Sequence, residues 1–446
     1  MKYVSTRSSA EKVDAAQAIV AGLAPDGGLY VPESFPAFAL GRVKDMAEQP
    51  YPDRAREVMG AYLTDFSEAE LRACARQAYA PERFGDCPAP LKAVGDLHVL
   101  ELWHGPTHAF KDMALQMLPR LMPLAMKKTG VDKQVFILVA TSGDTGKAAL
   151  EGFCGVEGTQ VGVFYPVDGV SPAQKLQMIT QEGENTHVCA VQGNFDDAQT
   201  GVKRIFGDEA FARELAEKGV ELSSANSINW GRLVPQVAYY FSAYADLLKK
   251  GVIALGDEVN FCVPTGNFGN ILAAYYAKRM GLPVGKLVCA SNANNVLFDF
   301  IEQGVYNANR PFHKTTSPSM DILVSSNLER LLYELCDRDG ALVASWMQAL
   351  KSGGTYAVGE AVHRALMESF AAGWADDEKA MEAIARVHAE CDYTMDPHTA
   401  VAWSVAEAYR AHTGDRRPMV VVSTASPYKF SRSVLTALQG AEAVQA

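Results

Sequence analysis

The sequence predicts an α/β protein: mostly parallel sheets flanked by helices, preceded by a small, mainly helical N-terminal region. Two observations carry this. From Leu97 onward, short apolar runs of strand length alternate with helical stretches, the pattern of parallel sheets covered on both faces. Before that, residues 1–85 are rich in helix formers, and Pro81, Gly85, Pro88 and Pro90 then break the pattern. A domain boundary is expected there, dividing the chain into 1–85 and 86–446.

In the N-terminal region, Ala55–Leu63 and Ser67–Ala75 are helix candidates, and Ser67 with Glu70 has the spacing of a capping box. Farther on, strands are expected at Leu97–Leu102, Val135–Ala140, Val161–Tyr165, His187–Val191, Val259–Val263, Leu287–Ala290 and Met419–Ser423. One helix is expected over Asp112–Lys128 and another from Gly146. A third is expected over Ser171–Ile179, with serine at the cap and Pro172 at its first position. In such sheets ligands bind beyond the carboxyl ends of the strands, so the loops that follow the strands are the places to look for chemistry.

Composition narrows the function. With 446 residues, 48% hydrophobic and 21% charged, the chain has the make-up of a globular protein with a large core. A net charge of -11 argues against a nucleic-acid or anionic-membrane binder. The longest apolar runs are far too short to span a bilayer, and the first residues lack the apolar stretch of a secretory signal. The eight cysteines are scattered, with no zinc-like spacing, so reduced thiols and a cytoplasmic location are expected, and neither a metal nor a disulfide framework. Nothing fixes the oligomeric state; a monomer or weak homodimer is expected.

Three segments at strand ends carry the chemistry. Thr265-Gly-Asn-Phe-Gly-Asn270 lies between an expected strand and an expected helix. Backbone N–H groups and a helix N-terminus there suit a phosphate, although the segment alone reads equally as a tight turn with an Asn cap. Thr141-Ser-Gly-Asp-Thr-Gly-Lys147 resembles a P-loop but has Thr141 in place of the first glycine and Ala148 in place of the magnesium-binding hydroxyl. What remains is a polar turn fit for a small carboxylate or phosphate, or simply a solvated turn. His104-Gly-Pro-Thr-His-Ala-Phe-Lys-Asp112 sets Lys111 among apolar neighbours. A lysine in such a setting can become an amine nucleophile or base, but by itself the segment fits a surface lysine at a helix start.

Together, and in this order, the three segments resemble the threonine synthase family, pyridoxal-phosphate enzymes of the tryptophan-synthase-β (fold type II) group. His104–Asp112 fits the family pattern H-G-P-T-x-x-F-K-D. Asn226-Ser-Ile-Asn229 with Arg232, Ser317–Asp321, Asp396–Thr399 and Ser423–Pro427 extend the match, as do Ser5–Ser8 and Leu23–Tyr30 in the N-terminal region. The resemblance covers nearly the whole chain and is closer to the long bacterial and fungal branch than to the plant branch. It implies a two-lobed core with the cofactor in the cleft. Lys111 would be the Schiff-base lysine. Gly266, Asn267, Phe268, Gly269 and Asn270 would surround the cofactor phosphate, and Thr424 would face the pyridine nitrogen. Ser142, Gly143, Asp144 and Thr145 would grip the substrate carboxylate. Arg232, with Ser227 and Asn229, would take the substrate phosphate, because a guanidinium fork matches phosphate oxygens. His108, Ser426 and Tyr428 depart from the family pattern.

The implied reaction converts O-phospho-L-homoserine and water to L-threonine and phosphate, with Lys111 also removing the Cα proton. A serine/threonine dehydratase or cysteine synthase would share the cofactor, but the S-x-K-x-R pattern around the lysine is missing and an N-terminal region is present. A phospho-lyase acting on a related phosphorylated amine would differ only near Arg232. A dinucleotide-binding dehydrogenase is disfavoured, since no G-x-G-x-x-G follows an early strand. His398 reads as a helix-start or packing residue, and the pairs Tyr239-Tyr240 and Tyr275-Tyr276 as helix faces in the core.

Overall fold

The computed structural model describes residues 1–8, 11–141, 143–167, 170, 172–193 and 195–444. Two parallel sheets dominate. The larger runs, in spatial order, Phe370–Trp374, Val284–Ser291, Val259–Pro264, Met419–Ser423, Leu97–Glu101 and Leu91–Val94; all its pairs are parallel except the last, a hairpin. The smaller runs Thr186–Val191, Thr159–Pro166, Gln134–Ala140 and Val220–Ser224, parallel throughout. Each strand expected from the sequence is present, Met419–Ser423 with the expected bounds and the others extended by a few residues or shortened by one.

The sheet register explains why these strands are apolar at nearly every position rather than at alternate ones. Val99, Val421, Cys262 and Val288 pair in one row across the larger sheet and face one layer of helices. The next row, Val420, Phe261, Leu287 and Phe370, faces the other layer. Both rows are buried, as a sheet covered on both sides requires. The helix Pro397–Thr413 covers one face. The long helix Trp230–Lys249, almost wholly buried, lies on the other side and packs against Gly269–Arg279 and Tyr51–Tyr62.

The N-terminal region folds as a two-stranded antiparallel sheet, Tyr3–Ser5 with Tyr30–Pro32, and the helices Ala15–Ala21, Leu40–Met46, Tyr51–Tyr62 and Glu68–Ala78. The Ser67–Glu70 capping box forms: the Ser67 N–H donates to Glu70 Oε2 at 2.7 Å, and the Glu70 N–H to Ser67 Oγ at 3.3 Å. The expected helix Ser171–Ile179 is present as Pro172–Ile179, while its proposed cap, Ser171, lies outside the described residues.

The single helix expected over Asp112–Lys128 is in fact two, Asp112–Leu115 and Leu118–Thr129. The cause is Pro119, which has no N–H to give to the Leu115 carbonyl and sits where proline is tolerated, in the first turn of a new helix. The break lets the helix Asp144–Phe153 come very close. A Cβ on Gly152 would lie 2.0 Å from the Leu115 carbonyl oxygen. Gly152→Ala should therefore lower the thermal unfolding midpoint, by the equivalent of about 1–3 kcal/mol for an overpacked site. A midpoint equal to that of the parent protein would refute this account of the contact.

Candidate active site

Loops at the carboxyl ends of the strands of both sheets converge on one cavity of about 1370 Å³. Its wall includes Lys111, Thr141, Thr145, Ser227, Arg232, Gly266–Asn270, Ser319, His398 and Thr424, together with Arg7 and Asp26 from the N-terminal region.

Lys111 follows a turn that is anchored from two directions. Its predecessor Phe110 donates its N–H to the Thr424 carbonyl at 2.8 Å, and Ala109 bridges Ala425. Inside the turn, Asp112 accepts from the Thr107 N–H at 2.8 Å and from its hydroxyl at 2.7 Å. Lys111 Nζ stands over the Phe110 ring, 3.4 Å from Ser319 Oγ and 3.8 Å from Asp144 Oδ2, with its side chain 11% exposed. Burial pushes this amine down to about 8; Asp144 opposes the shift, while Arg232 and Lys429 add to it. At that value a substantial neutral fraction exists near neutral pH, as a nucleophilic amine needs. Burial also raises the Asp112 carboxyl, to about 6, against the opposing pull of its Thr107 bonds.

The Thr265–Asn270 loop shows why Gly266 is there. A Cβ on Gly266 would lie 2.6 Å from the Ser319 carbonyl oxygen. Phe268 takes the left-handed conformation, φ 63°, and caps the helix Gly269–Arg279. The loop carbonyls are held from one side: Ser325 Oγ donates to Gly266 O at 2.7 Å, and the Asn327 backbone and side chain both donate to Asn267 O at 3.1 Å. Asn270 Oδ1 accepts from Tyr239 at 2.5 Å and Tyr240 at 2.7 Å. This fixes the amide with Nδ2 buried and, among the described residues, unpartnered. An unpaired buried donor beside a helix N-terminus, on a loop where a Cβ would collide, fits a phosphate ester.

Arg232 lies in the first turn of Trp230–Lys249 and is 4% exposed. Its Nη1 donates to the Ala225 carbonyl at 2.9 Å, and among the described residues its Nε has no partner. Burial lowers it to about 10, with Tyr239 opposing. Ser227 Oγ lies 3.3 Å from Ser326 Oγ. Asn229 is placed otherwise than the resemblance implies. It is fully buried, its Nδ2 donates to the carbonyls of Ile19 and Ser224, and its Oδ1 accepts from the Gly231 N–H. It caps a helix and ties in the N-terminal region, with no side-chain atom left for a ligand.

The Thr141–Lys147 segment divides in the same way. Thr141 Oγ1 accepts from the N–H groups of Gly143 and Gly146, both at 2.9 Å. Gly143 has φ 138° and no room for a Cβ against Gln174. Thr145 lines the cavity, and Ser142 lies outside the described residues. The Asp144 residue is 4% exposed; its Oδ1 is taken by Lys429 at 2.6 Å and Gln174 at 3.0 Å, and its Oδ2 faces Lys111 Nζ at 3.8 Å. Burial alone would raise it, but Lys429, Lys111 and Gln174 reverse this and hold it well below the usual carboxylate range. A carboxylate in that position does not grip another carboxylate; in this segment that task fits hydroxyl and N–H groups.

Several residues of the site were missed by the sequence reading. Ser319 touches Lys111, and its N–H donates to His398 Nε2 at 3.1 Å. The His398 ring proton is therefore on Nδ1, 2.7 Å from Asp396 Oδ1. Thr399 donates its hydroxyl to Asp396, and its oxygen lies 3.0 Å from the hydroxyl of Ser423, the neighbour of Thr424. His398 is thus at a helix start, as expected, and also holds Ser319 in place. Of the departures from the family pattern, His108 adopts φ 57° and its carbonyl accepts from the Ser426 N–H, while Tyr428 is 87% exposed.

The chain is similar to known proteins along nearly its whole length. Residues 2–79 match the family model described as "Threonine synthase N terminus", and residues 86–425 match "Pyridoxal-phosphate dependent enzyme". The threonine synthase of Pseudomonas aeruginosa is 41% identical over 97% of this chain and 90% of its own, and that of Saccharomyces cerevisiae 36% identical over 98% and 89%. The chain is also 41% identical to the human protein "Threonine synthase-like 1", of which it spans only 61%. Among solved structures, the PLP-bound threonine synthase of Brucella melitensis superposes with a TM-score of 0.90 at 40% identity, covering 100% of this chain and 94% of that one. With both family models matched along the chain and whole-length relatives at this identity, the chain belongs to the threonine synthase family of pyridoxal-phosphate-dependent enzymes.

Proposed function

We propose that the protein converts O-phospho-L-homoserine and water to L-threonine and phosphate, as a cytoplasmic monomer or weak homodimer. The observation that carries this reading is Arg232. A buried guanidinium with an unpartnered Nε, and no carboxylate among the described residues to neutralise it, is costly unless an anion completes it. It opens on the same cavity as the Gly266–Asn270 loop, which supplies its own set of anion donors. One cavity with two sets of anion donors suits a phosphorylated cofactor together with a phosphorylated substrate.

In this reading Lys111 holds pyridoxal phosphate through its amine, the loop Gly266–Asn270 holds the cofactor phosphate, and the Thr424 hydroxyl meets the pyridine nitrogen. When bound, the cofactor supplies an electron sink for negative charge developing on the substrate carbons, moderated by a neutral partner at that nitrogen. Lys111 Nζ, once freed, takes the Cα proton; burial keeps a neutral fraction of the amine available for this. Arg232 and Ser227 orient the substrate phosphate and stabilise it as it leaves. Ser142, Thr145 and the backbone N–H groups of their turn hold the substrate carboxylate. In the net reaction the Cγ–O bond to phosphate breaks, a hydroxyl from water replaces one hydrogen of Cβ, Cγ gains a proton, and the remaining water proton goes to the released phosphate.

The deciding assay is phosphate release and threonine formation from O-phospho-L-homoserine, run beside ammonia release from threonine and phosphate release from other phosphorylated amines. Preference for either alternative would replace the proposed reaction. Lys111→Ala should abolish both turnover and the visible absorbance of the lysine-bound cofactor; a variant retaining both would sink the assignment. Arg232→Gln should leave the visible band intact and lower kcat/KM for the phosphorylated substrate roughly 10- to 150-fold, as expected for loss of a charged hydrogen bond. An unchanged kcat/KM would remove Arg232 from the substrate site.

A further inference from the structure

Lys429 belongs to no motif singled out in the sequence, yet it lies beneath the reactive amine. It sits on the turn Pro427–Phe430, just after Thr424, with its side chain 6% exposed. Its Nζ donates to the Thr107 carbonyl at 3.0 Å and to Asp144 Oδ1 at 2.6 Å. The second Asp144 oxygen, Oδ2, faces Lys111 Nζ at 3.8 Å and accepts from Ser319 Oγ at 3.4 Å. One buried carboxylate is thus shared by two lysines. The closer contact goes to Lys429, which does not line the cavity, and the longer one to Lys111, which does.

We propose that Lys429 is a positioning residue: by neutralising Asp144, it lets that carboxylate hold the Lys111 amine in place without drawing a proton onto it. This rests on Lys111 being the cofactor lysine. The charged groups facing Lys111 are Asp144, Asp112, Arg232 and Lys429. Two carboxylates are balanced by two cations. Removing Lys429 would leave Asp144 and Asp112 against Arg232 alone, and a buried carboxylate that has lost its partner seeks another cation. Lys111 is the one within reach. Lys429 also acts on Asp112 and on His108, the other titratable groups beside it. The lowered proton affinity of Lys111, caused first by burial, includes contributions from Lys429 and Arg232 of the sign this balance requires.

The test reads the free amine. Pyridoxal phosphate is added to cofactor-free, full-length protein, and the rate at which visible absorbance develops is followed against pH. Attachment requires a neutral Lys111, so the midpoint of the profile reports its ionisation, and the cofactor's own ionisations are common to all variants. Lys429→Gln should move the midpoint up by about one pH unit, making attachment about tenfold slower at a fixed pH below it. Lys429→Arg should keep the parent midpoint, because the charge is retained. Asp144→Asn should move it down, since of the charged groups around Lys111 the carboxylate acts most strongly. A Lys429→Gln midpoint equal to the parent's, or a Lys429→Arg midpoint shifted as far as that of Lys429→Gln, overturns the proposal. Should Lys429→Gln fail to fold, Asp144→Asn decides: a downward shift supports the proposal and an unchanged midpoint overturns it. If instead the parent develops no visible band, or Lys111→Ala develops the same one, the assignment of Lys111 fails rather than that of Lys429.

Discussion

The site depends on one piece of sheet pairing. Met419–Ser423, near the end of the chain, inserts between Leu97–Glu101 and Val259–Pro264 and pairs in parallel with both. Parallel strands direct their carboxyl ends to one edge of the sheet. Three loops that are far apart in sequence therefore emerge side by side: the turn bearing Lys111, the loop Thr265–Asn270, and the segment from Thr424 to Lys429. The Phe110–Thr424 bond and the Ala109–Ala425 bridge continue this pairing past the sheet and into the site itself. No side chain has to reach far, because the backbone has already brought the loops together.

Around that frame, polar groups are buried in a graded way. Some are fully satisfied and serve the fold, as with Asn229 at its helix cap and Asp112 in its turn. Others keep an open valence: Asn270 Nδ2 and Arg232 Nε are buried donors without partners among the described residues. Most buried polar groups in proteins are satisfied, and two unsatisfied donors at one cavity fit an anionic ligand. The tyrosines 239 and 240 show how such a state is maintained. By taking the Asn270 oxygen between them, they prevent the amide from turning to satisfy its nitrogen elsewhere.

Sheets and motifs were legible in the sequence because both are local. A strand buried on two faces is a short apolar run wherever it occurs, and each glycine-bearing turn directly follows its strand. The break near Leu115 was not read from the sequence, because the apolar periodicity runs across Pro119 and proline is also accommodated inside helices of this fold, at Pro123 and Pro235. Asn229 could have been recognised as a cap, because an Asn directly before an apolar helix is one by habit. Lys429, Ser319 and the hold of His398 on Ser319 were not legible. Each acts through a partner tens to hundreds of residues away, and a buried lysine has no local signature until the fold supplies its carboxylate.

The placement of Met419–Ser423 also has a consequence in time. A ribosome delivers Leu97–Glu101 and Val259–Pro264 long before the strand that belongs between them. Domains fold largely as they emerge, so the sheet waits with a gap at its centre, and pairings between residues this far apart form slowly. The turn bearing Lys111 has no counterpart at Thr424 until that gap closes. A chain lacking that strand carries Lys111 without the segment that anchors its turn.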